Sequence, residues 1–175
     1  MKMIDFPELK QSGDYDCGAL AIQSVLNYYG VDVREDLIAK EAKTTKEKGT
    51  PIRGVVDFLK KYDLKVIAKK MKINDIIDYI EKDIPVIMLL QAWWNKKNID
   101  YKKVYNCGHY VVAIGYDSKR LYFEDPYKLE RTYLEYGELK KRWHSLDDKN
   151  KKINNFAIAA KGKIKDCYKK IIPMK

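Results

Sequence analysis

The sequence predicts an α+β domain in which a helical N-terminal half packs on an antiparallel sheet from the C-terminal half. Three observations carry this expectation. Apolar residues recur at steps of three and four from Cys17 to Tyr29, from Ile52 to Tyr62 and from Ile73 to Lys82, the period of helices with one buried face. From Pro85 the pattern changes to a continuous apolar run, Val86-Ile87-Met88-Leu89-Leu90, as expected of a central strand covered on both faces. Gly108–Tyr116 and Leu121–Asp125 are then β-branched and aromatic about a polar turn, which reads as a hairpin. Helices first and strands second place two layers against one core.

The elements follow in order. The helix from Cys17 stops at Gly30, with Asp14 or Asp16 as its N-cap. Asp32 caps a second helix over Arg34–Ala42. Thr50 caps a third, with Pro51 at its first position. Leu64–Ala68 is a short strand and Ile73–Lys82 a helix. Ala92–Asn106 is a long loop rich in aromatics, Trp93 and Trp94 among them, and such loops usually carry function. Thr132 and Glu135 stand at capping-box spacing before a helix over Leu134–Trp143, and Asn155–Ala160 is the last strand. Residues 1–161 make one domain and residues 162–175 a basic tail.

Composition narrows the function classes. With 175 residues and 46% apolar content the chain can bury a core without staples. No stretch is apolar for long enough to span a bilayer and no secretory signal opens the chain, so a cytoplasmic protein is expected. Cys17, Cys107 and Cys167 show no metal-ligand or disulfide spacing, and no cofactor motif is present. Residues 1–90 carry 15 side chains of each sign, whereas residues 91–175 carry 20 basic against 10 acidic ones. That excess suits an anionic partner or a solvated lysine-rich face. Nucleic acid is disfavoured, because no phosphate loop or RNA-binding aromatic motif accompanies the charge.

Cys17 is the first candidate for chemistry. The first turn of a helix has unpaired N–H groups and the positive end of the dipole, both of which favour a thiolate. A lone cysteine is also commonly a small buried hydrophobe. His109 and Asp125 add weight to the first reading. A regular hairpin centred on Asp117 sets His109 directly opposite Asp125, on one face with Val111, Ala113, Leu121 and Phe123. The carboxylate would take the Nδ1 proton and leave the other imidazole nitrogen as a base. Asp117 is the alternative orienting carboxylate in another register. Nucleophile, base and orienter together are the parts that acyl transfer requires.

Gln11, Cys17-Gly18-Ala19, Asn27-Tyr28-Tyr29-Gly30, Gly108-His109-Tyr110 and Glu124-Asp125-Pro126 resemble the bacteriocin-processing peptidases of the papain-like cysteine peptidase superfamily, over about residues 8–135. Those domains remove leader peptides after a double glycine, usually as part of an exporting ABC transporter. The resemblance implies the papain-like fold, a peptide or protein substrate, Cys17 as nucleophile, His109 as general base and acid, Asp125 as orienter and Gln11 as oxyanion donor. Gly18, Gly108, Tyr110 and Trp94 are the candidate substrate-contacting residues. Cys107 is expected to pack inertly. The chain carries no membrane spans or ATP-binding module, so it is not expected to be an exporter itself. Two further readings stand beside hydrolysis: a peptide-binding module that does not cleave, and a transferase that passes the acyl group to an amine.

Overall fold

A computed structural model describes residues 1–11, 13–94, 98–163 and 173. The elements in chain order are β1 (Lys2–Met3), α1 (Cys17–Tyr28), α2 (Glu35–Glu41), α3 (Ile52–Lys60), β2 (Lys65–Lys70), α4 (Ile73–Glu81), β3 (Val86–Gln91), a 3-10 turn (Tyr101–Lys103), β4 (Gly108–Tyr116), β5 (Arg120–Glu124), β6 (Thr132–Glu135), α5 (Tyr136–Arg142), β7 (His144–Leu146), β8 (Lys152–Asn154) and β9 (Phe156–Lys161). Six strands form one antiparallel sheet in the order β2-β9-β3-β4-β5-β6, and β1 adds to the end of β4. The expected α+β architecture is the observed one.

Every residue of β3 is buried, as its unbroken apolar run requires, because β9 and β4 flank it and helices cover the sheet. α1 is buried along almost its whole length. Ala19, Ala21, Ile22, Val25 and Leu26 are all sealed, and β4 is the strand that α1 packs on most, with Gly18 beside the Tyr110 ring. Small residues on this helix allow that close approach. A Cβ added at Gly18 would stand 2.5 Å from Thr50 Cβ and 3.0 Å from the Tyr110 ring.

Several local expectations are corrected. Asp16 is the N-cap residue of α1 but its side chain makes no capping bond to the helix. α2 begins at Glu35 after an extended Arg34, without Asp32 as its cap. Pro51 rather than Thr50 precedes α3, and the Thr50 hydroxyl pairs instead with Thr44 Oγ1 at 2.8 Å. The cap of α3 comes from far along the chain: the Asp148 carboxylate accepts from the Ile52 and Arg53 N–H groups at 2.7 and 3.1 Å. Thr132–Glu135 is a strand and only Tyr136–Arg142 is helical. Thr132 faces the sheet's own hydrogen-bonding network and cannot serve as a helix cap.

The hairpin register also differs. β4 and β5 pair Tyr116 with Leu121 and Gly115 with Tyr122, then slip at a bulge around Ile114 to pair Ala113 with Phe123 and Val112 with Glu124. Continued by one step, that register sets Asp125 across from Val111, so His109 is its diagonal neighbour. The shift of two residues preserves parity, and both side chains keep the same face. Asp117 lies at the far end of the hairpin, where it accepts from Lys119 N, Arg120 N and the Tyr122 hydroxyl and closes the turn.

Candidate active site

Cys17 opens α1, His109 opens the buried part of β4, and Asp125 follows β5; all three are buried. His109 Nε2 lies 2.6 Å from Asp125 Oδ1. The imidazole therefore meets the carboxylate through Nε2, not through Nδ1 as the sequence suggested, because the diagonal placement brings Asp125 to the ring's far end. Nδ1 is the nitrogen left to face the Cys17 thiol, and the interaction of the two lowers the thiol and raises the imidazole.

The electrostatics follow from those contacts. Burial opposes ionisation of Cys17, but the hydrogen bond and charge of His109, with the Tyr110 and Gly18 backbone, outweigh it and hold the thiol below its ordinary value. Burial likewise opposes a charged His109, yet hydrogen bonds to Asp125 and Cys17 raise it to about 9. Burial pushes the Asp125 carboxyl up, and the bond to His109, its charge, the Tyr127 N–H and the Trp93 indole bring it below the usual carboxylate range. The shifts all run toward a thiolate, an imidazolium and a carboxylate, each charge stabilised by its neighbour.

Asp125 has four donors. Oδ1 receives His109 Nε2 and Tyr127 N (3.0 Å), and Oδ2 receives Trp93 Nε1 (3.0 Å) and Thr132 Oγ1 (3.2 Å). Neither Trp93 nor Thr132 was legible as a neighbour of Asp125. The adjacent β-branched and aromatic residues Thr132-Tyr133 were the signal that could have shown a strand beside β5.

Gln11 is fastened to the same corner. Its N–H donates to Pro126 O at 2.8 Å, the buried Glu124 carboxylate accepts from Leu9 N at 2.7 Å, and Arg131 joins Glu124 to the Phe6 carbonyl. The Gln11 amide nitrogen donates to Gly13 O at 2.6 Å.

A groove of about 550 Å³ opens on Cys17, walled by Tyr15, Thr50, Leu89, Tyr105, Gly108 and Tyr110 among others. Gly108 and Tyr110 both line this groove. Gly18 does not leave open backbone beside the sulfur, since Thr50 and Tyr110 fill that space. Trp94 lines a different cavity, about 250 Å³, which Asp125 also borders, with Leu90, Val111, Phe123 and Leu134. Cys107 donates its thiol to Gln91 Oε1 at 3.2 Å, and burial pushes it up to about 11. Cys167 lies outside the described residues.

A helix-tip thiol facing an imidazole on an antiparallel sheet is the plan of papain-like cysteine peptidases. The chain belongs to the Peptidase_C39-like family, whose model matches residues 3–150. A protein of Methanothermobacter thermautotrophicus with no described function is 28% identical over 116 residues, 66% of this chain and 68% of that one. Among solved structures, a Bacillus anthracis protein designated a C39-like peptidase superposes with a TM-score of 0.68 at 18% identity, over 94% of this chain and all of that one. The peptidase domain of Streptococcus ComA, a bifunctional ABC transporter, gives 0.66 at 22% identity over 87% and 96%. A double glycine motif protease from an AMS/PCAT transporter, solved with its leader peptide, gives 0.66 at 17% identity over 91% and 93%. Among the described residues no helix is long and apolar enough to cross a membrane.

Proposed function

We propose that this chain is a cysteine peptidase that hydrolyses a peptide bond after a double glycine, with Cys17, His109 and Asp125 as its triad. The observation that carries the reading is the buried chain of contacts from the Cys17 thiol through His109 to Asp125, 2.6 Å from the ring. The thiolate attacks the scissile carbonyl carbon and a C–S bond forms as the carbonyl electrons move to oxygen. The oxyanion meets the Cys17 N–H at the helix start and the second N–H of the Gln11 amide, whose first is taken by Gly13. The tetrahedral species collapses, the C–N bond breaks, and imidazolium Nδ1–H protonates the departing amine. Water, deprotonated by the same nitrogen, then attacks the thioester carbon; the C–S bond breaks, the acid product leaves, and the thiolate and imidazolium are restored.

The neighbour solved with a leader peptide supports a peptide substrate, and the groove on Cys17 supports an extended segment. The test is incubation with a Gly-Gly peptide and mass spectrometry of the products, with and without an added amine. Hydrolytic cleavage that is lost in Cys17→Ala is expected. An intact peptide beside a rapidly alkylated Cys17 would show instead a competent thiol with another substrate, and amine adducts would show a transferase.

A further inference from the structure

The Trp93 side chain has no part in the mechanism above, yet it occupies one of the four acceptor positions of Asp125. We infer that Trp93 is a positioning residue whose indole N–H fixes Asp125 Oδ2, so that Oδ1 is presented to His109 Nε2. The inference rests on the triad assignment just proposed and refines it.

Four features of the geometry argue for this role. First, the donors divide two and two between the oxygens, and they come from separate parts of the chain: the loop after β3, β4, the turn after β5, and β6. Rotating the carboxylate about its Cβ–Cγ bond would break all four bonds. Second, an indole N–H donates but cannot accept. A hydroxyl or water could also stabilise a protonated carboxyl by turning its lone pair toward it; Trp93 supports only the ionised form. Third, Trp93 holds a left-handed backbone, φ 57°, rare for a bulky residue. That conformation turns the chain back over the sheet end, so that the indole reaches a carboxylate 32 residues further along. Fourth, Trp93 is 43% exposed, yet its ring is held in place by Tyr127, 5.1 Å between centroids, and by Lys128 Nζ 5.2 Å from its centroid.

The titratable and charged groups about Asp125 are His109 on β4 with Cys17 of α1 behind it, Lys128 on its own turn, Tyr133 on β6, Arg142 on α5 and Tyr101 across the cavity that Trp94 lines. Of these only His109 bonds the carboxylate directly, so loss of the indole N–H passes to the ring and from the ring to the sulfur.

The test compares the unaltered protein with Trp93→Phe, which keeps an aromatic ring and removes the donor. Peptide-resolved alkylation of Cys17 by iodoacetamide is followed from acid to alkaline pH. Trp93→Phe is expected to move the acid limb of Cys17 alkylation upward by roughly one pH unit and to lower kcat/KM about tenfold with little change in KM, the scale of one hydrogen bond to a charged group. Should Trp93→Phe fail to fold, the unaltered protein still reports: the Trp93 indole N–H resonance should titrate with the same midpoint as Cys17 alkylation, while those of Trp94 and Trp143 do not. A superimposable alkylation profile in folded Trp93→Phe, or an indole resonance indifferent to that midpoint, would overturn the inference. Ordinary thiol reactivity of Cys17 in the unaltered protein would instead remove the triad itself.

Discussion

Cys17 and Cys107 are the same chemical group in one protein, and their surroundings drive them in opposite directions. Both lose water. Cys17 regains more than it loses from an imidazole held by a carboxylate and from backbone at a helix start, and its thiol falls below the ordinary value. Cys107, two residues from that imidazole along the chain, donates to the Gln91 side-chain carbonyl, and burial raises it to about 11. Distance in sequence to a histidine therefore predicts nothing about a thiol; the atom it touches decides.

The sharpest way to press this contrast is to remove each sulfur. Cys17→Ala should reduce peptide hydrolysis by about four orders of magnitude or more, whereas Cys107→Ala should leave turnover within about threefold, as measured by product mass spectrometry. Equal losses would erase the distinction.

The next largest effect concerns the frame that supports only one of the two sites. Glu124 is 2% exposed and pairs with Arg131 while holding the Leu9 N–H. Arg131→Ala leaves that carboxylate buried and unpaired, which should cost about 3–5 kcal/mol in urea unfolding. An effect below about 1 kcal/mol would mean that water replaces the guanidinium at little cost.

His109→Ala removes the partner that lowers Cys17 and leaves Cys107 with its own. Alkylation of Cys17 at pH 7 should slow roughly 100-fold, by loss of thiolate, and Cys107 should be unchanged.

The smallest effect sits at the groove's rim. Asp148→Ala deprives α3 of a cap supplied across the groove, at a cost of about 1 kcal/mol in thermal unfolding. Unchanged stability would show that solvent caps α3 as well as the carboxylate does.

These particulars also mark how far the sequence could be read. Helical periodicity placed α1 with Cys17 at its tip, and the apolar run placed β3, because one buried face and two buried faces leave different periods. The His109–Asp125 pairing was legible for a reason more tolerant than the register used to reach it. The turn lies off Asp117 and the bulge at Ile114 slips the ladder back by one, so the partner of Asp125 ends two residues from the expected one, and an even net offset keeps the side chains on one face. Which imidazole nitrogen meets the carboxylate was not legible, since that depends on the slip itself. Trp93 and Asp148 were illegible for another reason. Their bonds span 32 and 96 residues, and no local pattern encodes which distant carboxylate or helix end a loop will reach. Gly18 reads as a substrate contact in the sequence, and the crowding of it by Thr50 and Tyr110 comes from residues far along the chain that no local pattern encodes.

The central claim is that one thiol in this chain is activated by His109, and the pH dependence of alkylation at Cys17 and Cys107 tests it most directly. Cys17 is held low by His109 and the ring is raised to about 9. As pH falls through the lowered value, the thiolate is protonated and Cys17 alkylation declines. Between that value and about 9 the sulfur is a thiolate beside an imidazolium and hydrolysis is at its plateau. Above about 9 the imidazolium loses its proton, hydrolysis falls for want of an acid to the leaving amine, and alkylation stays high. Cys107 should remain slow until pH approaches about 11. Two thiols alkylated in parallel, with one common midpoint near that of a free cysteine, would contradict the account.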